Sequence, residues 1–143
     1  MASEVEVTIL GSGTSHGVPM IGCRCPVCLS DDPRDKRTRA SVYIQAGATR
    51  LLVDTSPELR LQCVANSINA VDAVLFTHHH ADHVVGLDDL LRFNWLMKKP
   101  MPCFGASRTL DCLRRMFAYA FEPADDSPHS RPELHLHEIG VDS

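Results

Sequence analysis

The segment Thr77-His78-His79-His80-Ala81-Asp82-His83 places four histidines and an aspartate within six positions. Imidazole nitrogen and carboxylate oxygen are donors for zinc, iron or manganese, and zinc is the commonest occupant of a nitrogen-rich set. On extended backbone, residues two apart project to the same side, so His78 and His80 can reach one ion while His79 points away. Asp82 and His83 stand one turn further on and can serve a second ion. A lone histidine is usually a solvated or satisfied side chain, and a terminal histidine run is a purification tag. This run is internal, interrupted by Ala81 and Asp82, and flanked by core-like sequence.

A second cluster, Cys23-Arg24-Cys25-Pro26-Val27-Cys28, brings three thiols into six residues. Three thiolates on a glycine- and proline-bounded loop can converge on one tetrahedral zinc, with the fourth corner left to a residue elsewhere, commonly histidine. Zinc lowers the thiol pKa as it binds. The alternative is three reduced, unliganded thiols. Catalytic thiol chemistry is less favoured, because the histidine cluster already supplies a nucleophile.

His-x-His-x-Asp-His after a strand, present as His78, His80, Asp82 and His83 and followed by Gly86-Leu87, resembles the signature of the metallo-β-lactamase superfamily. The resemblance implies that the two leading histidines hold one ion and the Asp-His pair helps to hold the other. A hydroxide bridging the two ions then attacks the substrate, which makes Asp82 the candidate catalytic residue. The stretch Gly11 to Cys28, with Gly-Ser-Gly-Thr-Ser-His-Gly before the cysteines, is similar to the opening of the phosphoribosyl cyclic phosphate phosphodiesterase branch. That branch lies close to the tRNA 3′-processing endonucleases and the pyrroloquinoline-quinone accessory proteins. It implies a structural zinc on Cys23, Cys25 and Cys28, and Asp54 steadying the metal loop from behind without binding metal. From sequence alone, Asp54 is equally a turn or cap residue.

The elements that must position these residues are short. Alternation from Glu4 to Leu10 puts Val5, Val7 and Ile9 on one face of a first strand. It runs into the loop Gly11 to Gly17, which is either a tight connection or a surface whose amides, with Ser15 or His16, face a substrate. Without a following Gly-Lys-Ser/Thr, a nucleotide P-loop is disfavoured. Asp31 to Arg39 is a charge run without periodicity, a solvated loop or a grip for anionic substrate. Ser41–Ala46 and Arg50–Asp54 read as a hairpin turning at Ala46-Gly47-Ala48. Ser56 as N-cap and Pro57 at the first helical position predict a helix toward Ser67.

Ala73 to Phe76 reads as a buried strand delivering the histidines, at the strand end where open α/β folds place their chemistry. Gly86 to Lys99 then carries Leu87, Leu90, Leu91 and Trp95 at helical spacing, with Trp95 expected in the core. Asp88 and Asp89 suit that helix's first turn. A short strand follows at Pro102 to Gly105, and a helix capped by Ser107 runs through Ala118. Pro123 to Pro132 is a loop. A final strand, Leu134 to Ile139, has His135 and His137 facing one way, and these are not expected among the metal ligands. Cys63, Cys103 and Cys112 read as core fillers.

At 143 residues, 44% apolar and 22% charged, the composition is that of one ordinary soluble globular domain; the α/β fold class (α+β by some schemes) is what the resemblance implies. A net charge of −4 argues against an extended nucleic-acid surface. The acidic N-terminus is no signal peptide, no run approaches the ~20 apolar residues of a membrane span, and reduced thiols point to the cytoplasm. The resemblance implies that residues 1–143 form the N-terminal half of an αββα sandwich, ending before the later metal ligands. The expected function is a metal-dependent phosphodiesterase acting on a cyclic phosphate or nucleotide-like phosphodiester. It would use two ions, zinc first and manganese or iron next, besides the structural zinc. The partners expected are a small phosphodiester, no membrane, nucleic acid only as a lesser option, and a second copy in a homo-oligomer. The rivals are a tRNA 3′-end endonuclease-like enzyme and a non-catalytic metal-binding half-domain.

Overall fold

β-Branched and apolar residues at period two build strands that hydrogen-bond edge to edge, and helical segments then cover one of the two faces they create. The computed structural model describes residues 4–122 and 131–140 in this form. Six strands lie in simple sequence order: β1 (Val5–Gly11), β2 (Ser41–Ala46), β3 (Thr49–Val53), β4 (Ala73–Leu75), β5 (Met101–Gly105) and β6 (Leu134–Glu138). β1 to β3 pair antiparallel, and β3 to β6 pair parallel. The β2–β3 hairpin turns at Gly47, whose φ of 59° is one that glycine adopts without strain. The chain is a mixed α/β structure. Among the described residues, no helix is long and apolar enough to cross a membrane.

The register separates the two faces. Tyr43, Leu52, Val74, Cys103 and Leu136 line up across β2 to β6 on one face. That face meets α2 (Leu59–Ala65), α4 (Leu90–Met97) and α5 (Ser107–Met116), closing a core around Leu52, Leu59, Val74, Phe76, Leu87, Leu90 and Leu113. The other face carries Val5, Val7 and Ile9, which are 54–59% exposed, beside Val42, Ile44 and Leu51. The alternation in β1 therefore presents its apolar side away from the helices.

Several local expectations are corrected. Ser56 does not cap a helix: α2 begins at Leu59 after Glu58, and the buried Ser56 hydroxyl donates to Gln62 Oε1 at 2.8 Å. The segment after the histidines is interrupted, with a short α3 (Ala81–Val84), a 3₁₀ stretch (Val85–Asp89) and then α4. This rotation buries Phe93 and Asn94 and leaves Trp95 47% exposed, with Arg92 over its ring. Ser107 is the first residue of α5, which follows Ala106 and ends at Met116. Cys63 and Cys103 are buried as core fillers. Cys112 is only half-buried, and its sulfur accepts from Arg115. Of the loop expected at 123–132, residues 123–130 lie outside the described residues.

Candidate metal centre

The parallel strands β3 and β4 end side by side, and the segments leaving them meet at that edge. After β3, Asp54 adopts φ 61°, a left-handed conformation that aspartate tolerates better than most residues. Its amide donates to the Leu75 carbonyl at 2.9 Å, and its carboxylate is turned under the segment leaving β4. Thr55 continues the clamp. Its amide donates to the His83 carbonyl at 2.8 Å and its hydroxyl to the Val84 carbonyl at 3.1 Å, while Gly86 returns an amide to the Thr55 carbonyl at 3.0 Å. A Cβ on Gly86 would overlap the Ser56 carbonyl oxygen, so only glycine allows this close crossing.

Within the clamp, Asp54 is 4% exposed and fully engaged. Oδ1 accepts the Thr77 amide at 2.8 Å, and Oδ2 accepts the Thr77 hydroxyl at 2.7 Å and faces His83 Nδ1 at 2.7 Å. A carboxylate only accepts, so in a neutral His83 ring the proton sits on Nδ1 and the Nε2 lone pair faces Asp82 Oδ2 at 3.2 Å, two acceptors that a metal ion or a second ring proton would reconcile. Thr77 has one hydroxyl proton, given to Asp54. His78 Nδ1, 3.0 Å from the same oxygen, must therefore donate to it. His78 Nε2 is thereby freed as well. One carboxylate sets the tautomers of two histidines, one directly and one through a threonine.

The rings gather on that side. His78 lies 4.1 Å from His83 and 4.7 Å from His80, centroid to centroid, and His79 packs against His80 at 5.5 Å. Burial, followed by the neighbouring charges of His83 and His80, pulls the His78 pKa below its usual value. Asp82 and His83 project from the first turn of α3. His78, His80, Asp82 and His83 are thus neighbours, and Asp54 touches His83.

Cys23, Cys25 and Cys28 also converge: their sulfurs lie within 4.8 Å of one another, the one such triad of ligand atoms among the described residues. Pro26 opens the short helix α1 (Pro26–Leu29), Cys25 accepts the Cys28 amide at 3.4 Å, and that bond together with the Cys23 thiol lowers the Cys25 pKa. The thiol triad fits a divalent ion as it stands, and the histidine and aspartate donors have the chemistry for one, while no three of their ligand atoms lie within 4.8 Å of one another among the described residues. His78 and His83 each have Nδ1 engaged by the Thr77–Asp54 pair, which leaves Nε2 as the nitrogen available to a ligating role. His135 and His137 lie away on the edge strand β6, where His137 stacks on Phe104.

Sequence reasoning missed Thr77, Thr55 and Gln62. Thr77 occupies the single position between an apolar strand and the histidines, which is a legible signal. Gln62 is buried, takes the Ser56 hydroxyl, and donates to Thr38 Oγ1 and the Arg39 carbonyl, both at 2.9 Å. It thereby ties residues 38–39 to α2, and nothing in its local sequence marks it.

Comparison with known proteins places this geometry. A family model described as the beta-lactamase superfamily domain matches residues 49–143. The chain is similar to a protein of Porphyromonas gingivalis named octanoyltransferase, 46% identical over 114 residues, which span 79% of this chain and 23% of that protein. Among solved structures it resembles a diphosphatase from the PhnP family, with a TM-score of 0.83 at 36% identity, covering 96% of this chain and 51% of that one. Zinc-bound PqqB from Methylobacterium extorquens superposes with a TM-score of 0.73 at 26% identity, covering 98% and 47%. The chain thus spans about half the length of the solved structures it resembles, and less than a quarter of the octanoyltransferase.

Proposed function

The chain belongs to the β-lactamase superfamily, and from that footing we propose that it supplies the histidine half of a phosphodiester hydrolase centre. The observation that carries this reading is the Asp54–Thr77 relay, which engages Nδ1 of both His78 and His83 and leaves their Nε2 atoms to a ligating role, that of His83 beside Asp82. His78 and His80 would hold one ion and Asp82 and His83 a second, zinc first, with manganese and iron suited to the same donors. Such ions withdraw charge from phosphoryl oxygens and lower the pKa of water at the site. The chain's own work is positional. Asp54 holds a proton on His83 and, through Thr77, on His78; Thr55 and Gly86 fix the loop; Cys23, Cys25 and Cys28 would anchor the preceding loop on a separate zinc.

Phosphorus chemistry is the reaction class supported by the similarity to the PhnP-family diphosphatase, at 36% identity over nearly the whole chain. The substrate proposed is a small phosphodiester, cyclic or nucleotide-like. The name octanoyltransferase belongs to a protein more than three quarters of which lies outside the match, and it does not define this segment. A second reading, a non-catalytic metal-binding domain, is favoured by the cysteine triad, the one group of three ligand atoms within 4.8 Å of one another among the described residues.

Elemental analysis of protein purified without chelator, paired with hydrolysis of a chromogenic phosphodiester, separates the two. Two or more ions per chain, with turnover, and both reduced in His80→Ala and Asp82→Ala, support the hydrolase. One ion per chain that is lost in Cys25→Ser and unchanged in His80→Ala, without turnover, supports the binding half-domain.

A further inference from the structure

β1 is the outer strand of the sheet, and the alternation of backbone bonds decides which groups it offers. The Asp54 amide donates to the Leu75 carbonyl of β4. Counting back by twos, Leu52 and Arg50 turn their backbone groups toward β4 as well, while Thr49, Leu51 and Val53 turn theirs toward β2. Their partners Ala46, Ile44 and Val42 therefore bond to β3. Tyr43 and Gln45 are left to bond to β1, where they oppose Thr8 and Glu6. The amides and carbonyls of Val5, Val7 and Ile9 consequently point outward, and among the described residues no backbone group bonds to them.

Edge strands are usually blunted by proline, lysine, a bulge or a charge. Val5-Glu6-Val7-Thr8-Ile9 has no proline or lysine, and its bulge comes only after Ile9. Its one charge, Glu6, selects a register instead of forbidding all of them. A second copy turned about a two-fold axis at Val7 sets Val5 against Ile9, Val7 against Val7 and Glu6 against Thr8. Apolar side chains then meet apolar ones on the open face, and each Glu6 carboxylate meets a threonine hydroxyl on the helix face. The outward groups of Val5, Val7 and Ile9 fall into hydrogen-bonded pairs. An axis at Glu6 would oppose two carboxylates, and an axis at Thr8 would set Glu6 against the buried Leu10. The other edge strand lacks this self-complementarity: an axis at Leu136 of β6 would set Leu134 against Glu138.

We propose that β1 is a homodimer interface, in which two copies of the chain pair antiparallel about Val7 and join their six-stranded sheets edge to edge. The axis is two-fold and the contact isologous, so association closes at the dimer. The exposed side chains of Val5, Val7 and Ile9 continue one apolar face across the junction and add side-chain contact to the backbone ladder. A single strand from each copy gives an interface below the ~1,600 Å² of standard size, so the dimer is weak and concentration-dependent. The pairing asks nothing of the metal centre at the ends of β3 and β4.

Sedimentation velocity of the full chain over a wide concentration range, with amide hydrogen exchange at each concentration, tests the assignment. A monomer–dimer equilibrium is expected. Exchange should slow at the Val5, Val7 and Ile9 amides as the dimer forms, while Glu6 and Thr8, already bonded to β2, stay unchanged. Thr8→Lys, which places a cation opposite Glu6 of the second copy twice per dimer, should tighten association about 2- to 10-fold, and Thr8→Glu should weaken it by a similar factor. Gln45→Lys, the same change of charge one strand in from the edge, should leave it unaltered. Val7→Pro removes the central outward amide without breaking a β1–β2 bond and should abolish the dimer. Ile44→Lys, on the open face away from the edge, should spare it. A chain monomeric at every concentration, a species that grows beyond the dimer, or slowed exchange without the alternation overturns the proposal. Equal effects of Thr8→Lys and Gln45→Lys also overturn it, as does association lost in Ile44→Lys and kept in Val7→Pro, which would assign the contact to the sheet face.

Discussion

Replacing Asp54 by asparagine should invert the proton arrangement of the metal centre while leaving its shape. Asparagine tolerates the left-handed φ of 61° at this position. With its oxygen kept on the Thr77 amide, its NH₂ must face both the Thr77 hydroxyl and His83 Nδ1, each 2.7 Å from Asp54 Oδ2. His83 then has to accept at Nδ1 and carry its proton on Nε2. Thr77, now receiving a hydrogen bond, donates its own proton to His78 Nδ1, and His78 switches as well. On both rings Nε2, the nitrogen turned away from the Asp54–Thr77 pair, becomes a donor. Losing charge assistance at three contacts costs about 1 kcal/mol each, so a stability loss of about 3 kcal/mol is expected. Zinc affinity at the histidines should fall ~10- to 100-fold, the range for disrupted outer partners of ligating histidines. Long-range proton–nitrogen correlation spectra of the imidazoles read the tautomers directly, and competition with a chromophoric chelator reads the affinity. If His83 in Asp54→Asn stays protonated on Nδ1, or zinc affinity is unchanged, the relay is not what sets the site.

Other perturbations probe the same network and the faces around it. Gly86→Ala, whose methyl would overlap the Ser56 carbonyl, should cost about 1–3 kcal/mol in a urea titration and loosen the histidine loop. Asp72 is held well below the usual carboxylate range by Arg50, with help from Lys99. Because the folded pKa is the lower one, its stabilisation is complete above the unfolded value of 3.8 and is lost as pH falls below it. Asp72→Asn should therefore lower stability at pH 7 and flatten the acid limb of a stability–pH curve, and an unchanged limb would refute this. Ile9→Asp, on the open sheet face, should change stability by only about 0.5 kcal/mol yet reduce self-association seen by light scattering. Equal association in the variant would show that this face is not the sticky surface.

Much of the fold is legible in the sequence because it rests on local rules. The strand before His78, the Gly47 hairpin and the grouping of both ligand clusters depend on period and spacing within a few residues. Trp95 departs from its expected place for a definite reason: the 3₁₀ stretch Val85–Asp89 turns the helix away from the 3.6-residue stripe that Leu87 and Leu90 begin. Ser56 departs because its buried hydroxyl finds Gln62, a partner six residues away, before it can serve as a cap.

The role of Asp54 is the instructive intermediate. Nothing local distinguishes it from a turn residue, because its three partners lie 23 to 29 positions later and reach it only when β3 and β4 pair in parallel. Parallel pairing also brings Thr55 to His83 and Gly86 to Ser56, so the loop is fixed by the strand beside it more than by its own turns. The histidine motif specifies which atoms are offered to a metal. The adjacent strand end decides which nitrogens bear protons, and hence whether those atoms can bind. A chain that kept the histidines but lost Asp54 would keep the motif and lose the preorganisation, so in this fold Asp54 and Thr77 belong to the proposed site as fully as the proposed ligands do.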